Sequence, residues 1–466
     1  MKGFLNNAKI NYVMYHLNHT IELDDKLKTR FVFLKSNENL NVSKYRDKII
    51  FIQNDKELKT TDIKKIKEIP VLFPISEKKE FYKIDENNNL VFYDDILKSS
   101  FYLLSGYQEY CSESRDGLGR FPYKSSIQHF LNISHKPIVN YYFEIIEEGI
   151  IRFCNIHSIP YTKQKKFKNF GFFLTHDIDK IDFYTKWYIA QKIKEILGFV
   201  QTKYSWKQNI MLLIRGLFQF LNFINRKNPS WDFNFLIEVE RELNFKSAFY
   251  FLNKDILHKD SYYTYEERKV VNLINWLYNN GCEIGLHGTT RSAYDLNKLK
   301  EIYFKLQSVS PVDVSGIRQH RLLMSLPNTL INHEMVGLDY DTTLGFAENE
   351  GFRNSYCLPF KPYNFIEDKI VDIWEIPLNV MDVTLFEYRK LTFNQVKKSI
   401  EDIIHEINKF SGVFTLLWHN GYFDEIRYPG IKDFYKEILS LISKHEPENL
   451  LGYEIVEKMN KFEKRS

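Results

Sequence analysis

From residue 171 onward the chain keeps one rhythm: an apolar run, a polar residue or two where the run stops, a helical stretch, then the next apolar run. The first instance is Phe172-Phe173-Leu174-Thr175-His176-Asp177-Ile178-Asp179, where the run ends in two acids separated by one residue. A buried parallel strand delivers polar side chains to the edge of a sheet or barrel in this way. In α/β folds the residues at strand carboxyl ends line the site. Two carboxylates there can divide the labour, one holding a metal and one moving a proton. A strand followed by an Asp-rich turn or helix cap would look the same in this segment alone.

The pattern repeats. A helix through Phe235, Val239 and Leu243 leads into the strand Ser247 to Leu252. A second helix, carrying Val270, Ile274 and Leu277, stops at Asn279-Asn280-Gly281, and the strand from Cys282 ends at His287. A third helix, with Leu296, Leu299, Tyr303 and Leu306, precedes Gly316-Ile317-Arg318-Gln319-His320. Late in the chain the helix marked by Val396, Ile400, Ile403 and Ile407 leads to the strand Val413 to Trp418, which ends at His419-Asn420. Strands alternating with helices predict a parallel α/β architecture.

At 466 residues two domains are expected. Residues 1–165 read as a smaller mixed α/β accessory domain, with strand-like runs Ile49 to Ile52 and Val71-Leu72-Phe73 and a helix opening at Asp94-Asp95. Asp116-Gly117-Leu118-Gly119-Arg120-Phe121-Pro122 reads as a structural loop, because its glycines follow no strand in the dinucleotide-binding pattern. Lys163-Gln164-Lys165-Lys166 marks the boundary, and 166–466 is the catalytic part. Inside the latter, about residues 183–228 form a helical insertion. Its apolar stretches from Ile210 and Phe220 are flanked by Lys203, Lys207, Arg226 and Lys227. Such a stretch packs on its own protein, covers a site as a lid, or makes peripheral contact with a membrane.

A net charge of +4 makes no case for nucleic acid. Four scattered cysteines, Cys111, Cys154, Cys282 and Cys357, form no metal motif and suit a reducing compartment. The opening MKGFLNNAKINYVMYHL lacks the apolar core of a signal peptide, and no run is long enough to span a membrane. The cytoplasm is the expected location.

The strand ends together deliver Asp177, Asp179, His287, Arg318, His320, Asp341 and His419. One carboxylate and two imidazoles with an open position compose a hydrolytic zinc centre. The order of these segments resembles the polysaccharide deacetylase family, over about residues 166 to 466. Thr175-His176-Asp177-Ile178-Asp179 looks like its first motif, usually Thr-Phe-Asp-Asp-Gly; Glu283 to His287 resembles the second, Gly316 to His320 the third, and Leu416 to Asn420 the fifth. Gly119 to Pro122, Tyr340 to Phe346 and Gly351-Phe352-Arg353 resemble a bacterial subgroup with an extra uncharacterised N-terminal domain.

The resemblance implies a distorted (β/α) barrel and a metal-dependent deacetylase acting on an amide bond of an amino sugar or glycan precursor. Asp177 would be the general base, Arg318 its partner, His419 the general acid, and Asp179 and His287 ligands of a divalent metal, zinc being expected. The family's second metal histidine falls at Arg291, which stays protonated and cannot ligate. His320, two residues past Arg318 on an extended segment, is the expected third ligand. Trp374, Tyr340 or Trp418 could stack on a sugar face. Two other readings stay open: a small-amide C–N hydrolase of the same fold, and an inactive scaffold that binds glycans or partners. Oligomeric state is left open.

Overall fold

The computed structural model describes residues 1–21, 25–36, 42–161, 165–181, 186–202, 204–220, 230–255, 257–258 and 260–463. Parts of the expected boundary at 163–166 and of the expected insertion at 183–228 lie outside the described residues.

The large sheet is built from β1 (Gly171–Ile178), β2 (Ser247–Leu252), β3 (Glu283–Gly288), β4 (Gly316–Gln319), β5 (Tyr340–Asp341), β6 (Trp374–Glu375), β7 (Val380–Met381), β8 (Val413–Leu417) and β9 (Glu448–Asn449). Its order is β6-β5-β4-β3-β2-β1-β8-β7, with β9 added to the start of β1, and every pairing in it is parallel. The first four of these strands are buried at every residue, as a sheet covered on both faces requires.

Connectivity forces this sheet to curl. β6 and β7 stand at opposite edges, yet only residues 376–379 join them. That link spans at most roughly 18 Å. Eight strands laid flat at about 4.8 Å spacing would hold their edges roughly 34 Å apart. The two edges must therefore approach, and the sheet is an open, distorted barrel. All eight strands point their carboxyl ends to one rim. The opposite end is filled by Phe173, Tyr250, Tyr340 and the C-terminal helix Gly452–Glu463, through Ile455, Val456 and Met459.

The link from β5 to β6, residues 342–373, contains no helix. Chain from the first part covers it. There a four-stranded sheet pairs Phe31–Lys35, Ile49–Gln53 and Leu90–Phe92 in parallel and adds Tyr82–Ile84 antiparallel. The run Val71-Leu72-Phe73 is strand only to Val71, in the pair Lys64–Ile66 with Ile69–Val71; Leu72 and Phe73 are buried as irregular chain. The helices of this part meet the 342–373 link through buried polar bonds. Gln128 donates to the Arg353 carbonyl (2.7 Å), Asn354 to the Leu104 carbonyl (2.9 Å), and Asn140 Oδ1 accepts from Cys357 N (3.0 Å). Arg353 pairs with Glu109 at 2.7 Å. One continuous cluster of buried side chains runs through both sheets, from Leu5 to Ile442.

Gly351 is the tightest point of this junction. Its φ is +120°, and a Cβ there would lie 2.1 Å from the Ser134 carbonyl oxygen, which accepts from Phe352 N at 2.7 Å. Gly351→Ala should therefore cost about 2–4 kcal/mol, combining a forbidden backbone region with backbone overpacking. Equilibrium urea unfolding would check this; an unchanged midpoint would show that the two parts do not unfold together.

Candidate metal and acid–base site

Along β1 successive side chains alternate in direction. Thr175, Asp177 and, just past the strand, Asp179 share the inward side, while His176 turns outward. His176 Nε2 lies 2.9 Å from Glu240 Oε1, on the helix Phe233–Glu242, and its Nδ1 lies 2.6 Å from the Trp418 carbonyl. His176 is thus a buried brace of the strand, apart from the inward cluster.

Three inward atoms form a near-equilateral triangle. Asp179 Oδ1 lies 3.3 Å from His287 Nε2 and 3.4 Å from His320 Nδ1, and the two ring nitrogens are 3.2 Å apart. His287 Nδ1 lies 2.8 Å from the Arg318 carbonyl oxygen, an atom that can only accept. Nδ1 therefore carries a proton and Nε2 faces the triangle. In metal-free protein burial opposes a second ring proton, but Asp177 and Asp179 outweigh it and raise the pKa of the ring; a bound cation would take the Nε2 lone pair in place of that second proton. Asp179 Oδ1 is buried without a hydrogen-bond partner. Ligands about 2.0–2.1 Å from a tetrahedral zinc stand roughly 3.3 Å apart. Two imidazoles and one carboxylate, whose inward oxygen has no hydrogen-bond partner, fit a zinc-type divalent cation at this spacing.

His320 reaches the triangle by a different route from the one expected. Extended backbone ends at Gln319, and His320 opens a turn in which Arg321 and Leu322 have φ of +59° and +55°. Two successive non-glycine residues in the left-handed region, one of them a buried leucine, are strained. The loop Asp116 to Pro122 braces that turn: Arg120 donates to the Arg321 carbonyl at 3.2 Å and to the Tyr388 hydroxyl at 3.1 Å, and Asp116 holds Arg120 at 2.7 Å. A segment with no chemistry legible in its sequence is thereby packed beside the cluster. Asp260 stands behind His320, its Oδ1 3.9 Å from Nε2, and is itself held by the Thr290 hydroxyl and amide at 2.7 Å each.

Asp177 lies beside the triangle, 3.6 Å from His287 Nε2, and accepts from Arg318 at 2.9 Å. The Arg318 guanidinium is fully buried and also donates to Thr175 Oγ1, the Thr342 carbonyl and Thr342 Oγ1, at 3.0, 2.9 and 3.2 Å. It lies over the Tyr250 ring, 4.8 Å from its centre. Burial by itself would raise the Asp177 carboxyl; His287, Arg318 and His419 outweigh it and hold the pKa below the ordinary value. Asp179 is held well below its usual range against the same burial, chiefly by His320 and His287.

On the other side His419 follows β8. Its Nδ1 lies 2.7 Å from Asp382 Oδ1, and its backbone N–H donates to Asp382 Oδ2 at 2.6 Å. Burial opposes the imidazolium, but Asp382 overcomes it with help from Asp179 and Asp177, and the pKa is raised to about 10. Asp382 takes Nδ1, so His419 would exchange a proton with a substrate through Nε2.

The six candidate residues therefore gather at one rim. Asp341 does not join them: it is buried against His333 (3.1 Å) and Thr343 (2.8 Å). Arg291 turns to Asp295 at 3.0 Å on the surface. Tyr340, Trp374 and Trp418 are all buried, Tyr340 bonded to Glu283 and Trp374 to Asn460, so none offers a face to a sugar. Sequence reasoning missed Asp382, although Val380-Met381-Asp382 is a short apolar pair ending in an acid, the pattern seen at the other strands. Asp260 carried no signal, since it sits in a loop whose position only the fold sets.

Residues 4–155 match the model of a family of unknown function (DUF7033). No curated protein sequence matches the chain. Among solved structures, a candidate polysaccharide deacetylase from Mycobacterium smegmatis aligns over 65% of this chain and 93% of its own, with 15% identity and a TM-score of 0.42. Puue allantoinase aligns over 63% and 91%, with 12% identity and a TM-score of 0.41. A CE4 family pseudoenzyme from Bacillus anthracis aligns over 62% and 66%, with 6% identity and a TM-score of 0.32. Likenesses this distant carry no inference about what the chain does.

The His419–Asp382 pair has a definite pH signature. The folded value lies above the ordinary 6.5, so its stabilisation is full below about pH 6.5 and is lost as pH rises through about 10. In metal-free protein Asp382→Asn should lower the His419 pKa by more than about one pH unit. It should also flatten the stability curve across that window. Imidazole proton shifts followed by NMR would test this; an unmoved titration would assign the raised value to Asp177 and Asp179 instead.

Proposed function

We propose that this rim is the active site of a metal-dependent hydrolase that removes an acyl group, N-acetyl being the expected one, from an amino sugar or glycan precursor. The observation that carries the reading is the Asp179, His287 and His320 triangle, flanked by an ion-paired carboxylate on one side and a carboxylate-held histidine on the other. The sugar class rests on the motif resemblance. The division into an accessory part, 1–165, and a catalytic part, 166–466, belongs to the same proposal.

A divalent cation bound at the triangle, zinc by the donor set, would supply Lewis acidity toward an acyl carbonyl and lower the pKa of water. Asp177, kept ionised by Arg318 and placed by its hydrogen bonds, accepts the proton of the attacking water. Arg318 does not touch substrate; it orients the base and compensates its buried charge. His419, kept protonated by Asp382, gives the Nε2 proton to the departing amine and so prevents expulsion of an amide anion. The inactive-scaffold alternative was motivated by Arg291 in place of a ligand. Three suitable atoms converge without Arg291, which favours a working centre.

Protein purified without chelator should carry about one zinc per chain, the three protein ligands of a catalytic site being present. Asp179→Ala and His320→Ala should lose most of it. Asp177→Asn and His419→Ala should keep the metal yet lose roughly 10²-fold or more in acetate release from acetylated amino sugars. Full zinc in His320→Ala would remove that residue from the ligand set, and zinc loss in Asp177→Asn would reverse the two acids. Turnover of small amides but not amino sugars would reassign the substrate.

A further inference from the structure

Between β1 and β2 a pair of helices, Lys186–Ile196 and Trp206–Phe220, stands on the barrel rim. It is moored beside His419: Arg215 pairs with Asp424 at 3.1 Å, Arg427 donates to the Tyr204 hydroxyl at 2.9 Å, and Asn420 donates to the Lys180 and Ser230 carbonyls. The pair buries Ile189 and Leu212 yet leaves more apolar surface in solvent than a helix in water ordinarily does. Its buried side includes a polar clasp, Lys192 with Glu195 and with Asn209 at 3.2 Å. Its outer side exposes Leu197, Phe199, Trp206, Met211, Ile214 and Phe218, with Phe199 78% and Trp206 66% exposed. A surface helix ordinarily turns its apolar stripe inward, and a contiguous apolar patch of this kind marks an interaction site.

The charge pattern identifies the occupant. Residues 186–220 contain six basic residues and one acid, against a surplus of +4 for the whole chain. That acid, Glu195, is buried against Lys192, while Lys194 and Lys207 are exposed beside the apolar side chains. Among the described residues the outer face thus offers apolar bulk, an interfacial tryptophan and cations, with no exposed carboxylate. A second copy meeting this face across a two-fold axis would set lysines near lysines with nothing anionic to pair them. Anionic lipid headgroups over an acyl layer complement both halves of the pattern.

We propose that this helix pair docks the protein peripherally on an anionic lipid surface, with the metal-type triangle near its foot. Among the described residues no helix is long and apolar enough to cross a membrane, so docking is by partial insertion of the outer side chains. The docking is a property of the hairpin surface and does not depend on the proposed activity, so its test needs no turnover.

Flotation with phosphatidylcholine vesicles, with and without about 30% phosphatidylglycerol, gives the readout. The full chain should partition roughly tenfold more strongly onto the anionic vesicles and come off as salt rises from about 0.1 to 0.5 M. Phe199→Ser combined with Trp206→Ser should abolish the binding, whereas Phe304→Ser, an exposed phenylalanine on a distant helix, should not. Lys194→Glu with Lys207→Glu should remove only the preference for anionic lipid. In the unaltered protein, brominated lipid should quench tryptophan emission, and Trp206→Phe should lose most of that quenching. Three outcomes would each overturn the proposal: a full chain that stays in the aqueous fraction, a Phe199/Trp206 variant that floats equally well, or a dimer by sedimentation velocity that this variant dissolves.

Discussion

The buried guanidinium of Arg318 is the constraint around which the barrel mouth is arranged. A permanent cation with no solvent access is tolerated only where every donor finds an acceptor. Here the acceptors come from β1 and from the residue after β5, so satisfying one side chain on β4 fixes the separation of three strand ends. The backbone carbonyl of Arg318 itself takes the Nδ1 proton of His287 and decides which nitrogen of that ring faces Asp179. One residue on β4 thus ties three strand ends together through its side chain and orients the His287 ring through its backbone.

That arrangement is held from outside the barrel as well. The strained turn after β4 delivers His320, and its open carbonyl at Arg321 is taken by Arg120, from the part of the chain that also covers the helix-free link between β5 and β6. The first 155 residues are thus more than an appendage: they share the hydrophobic core and brace a turn of the site. The strain at Arg321 and Leu322 is local, and the packing that maintains it is contributed from about 200 residues away in sequence.

The opposite flank of the rim is built on different physics. His419 is charged because Asp382 is buried with it, while Asp177 and Asp179 stay ionised because histidines and Arg318 surround them. Acid and base character at one rim are separated by which counter-charge each group faces. Beyond that flank, the helix pair leaves large apolar side chains in solvent while it buries the Lys192–Glu195 clasp, so its surface reads as a contact face whatever chemistry occurs below it.

Period and punctuation made much of this legible in the chain. Apolar runs of strand length that stop at Asp177, His287, Arg318 and His419 already placed four of the site residues at parallel strand ends, because side-chain alternation and the common direction of parallel strands are local properties. His320 was reachable for the same reason, although the structure presents it from a turn rather than a strand. Asp382 was missed because a two-residue strand gives too short a run to recognise, and Asp260 because a loop residue has no periodicity. The aromatic candidates Tyr340, Trp374 and Trp418 were misplaced since exposure depends on what packs over a strand. The curled barrel was already expected from the motif resemblance, whereas tertiary structure alone decided that Arg120 reaches the His320 turn and that the 342–373 link is covered by the first part of the chain. Each of these joins residues far apart in sequence, and only the closing of the barrel brings such partners within bonding distance.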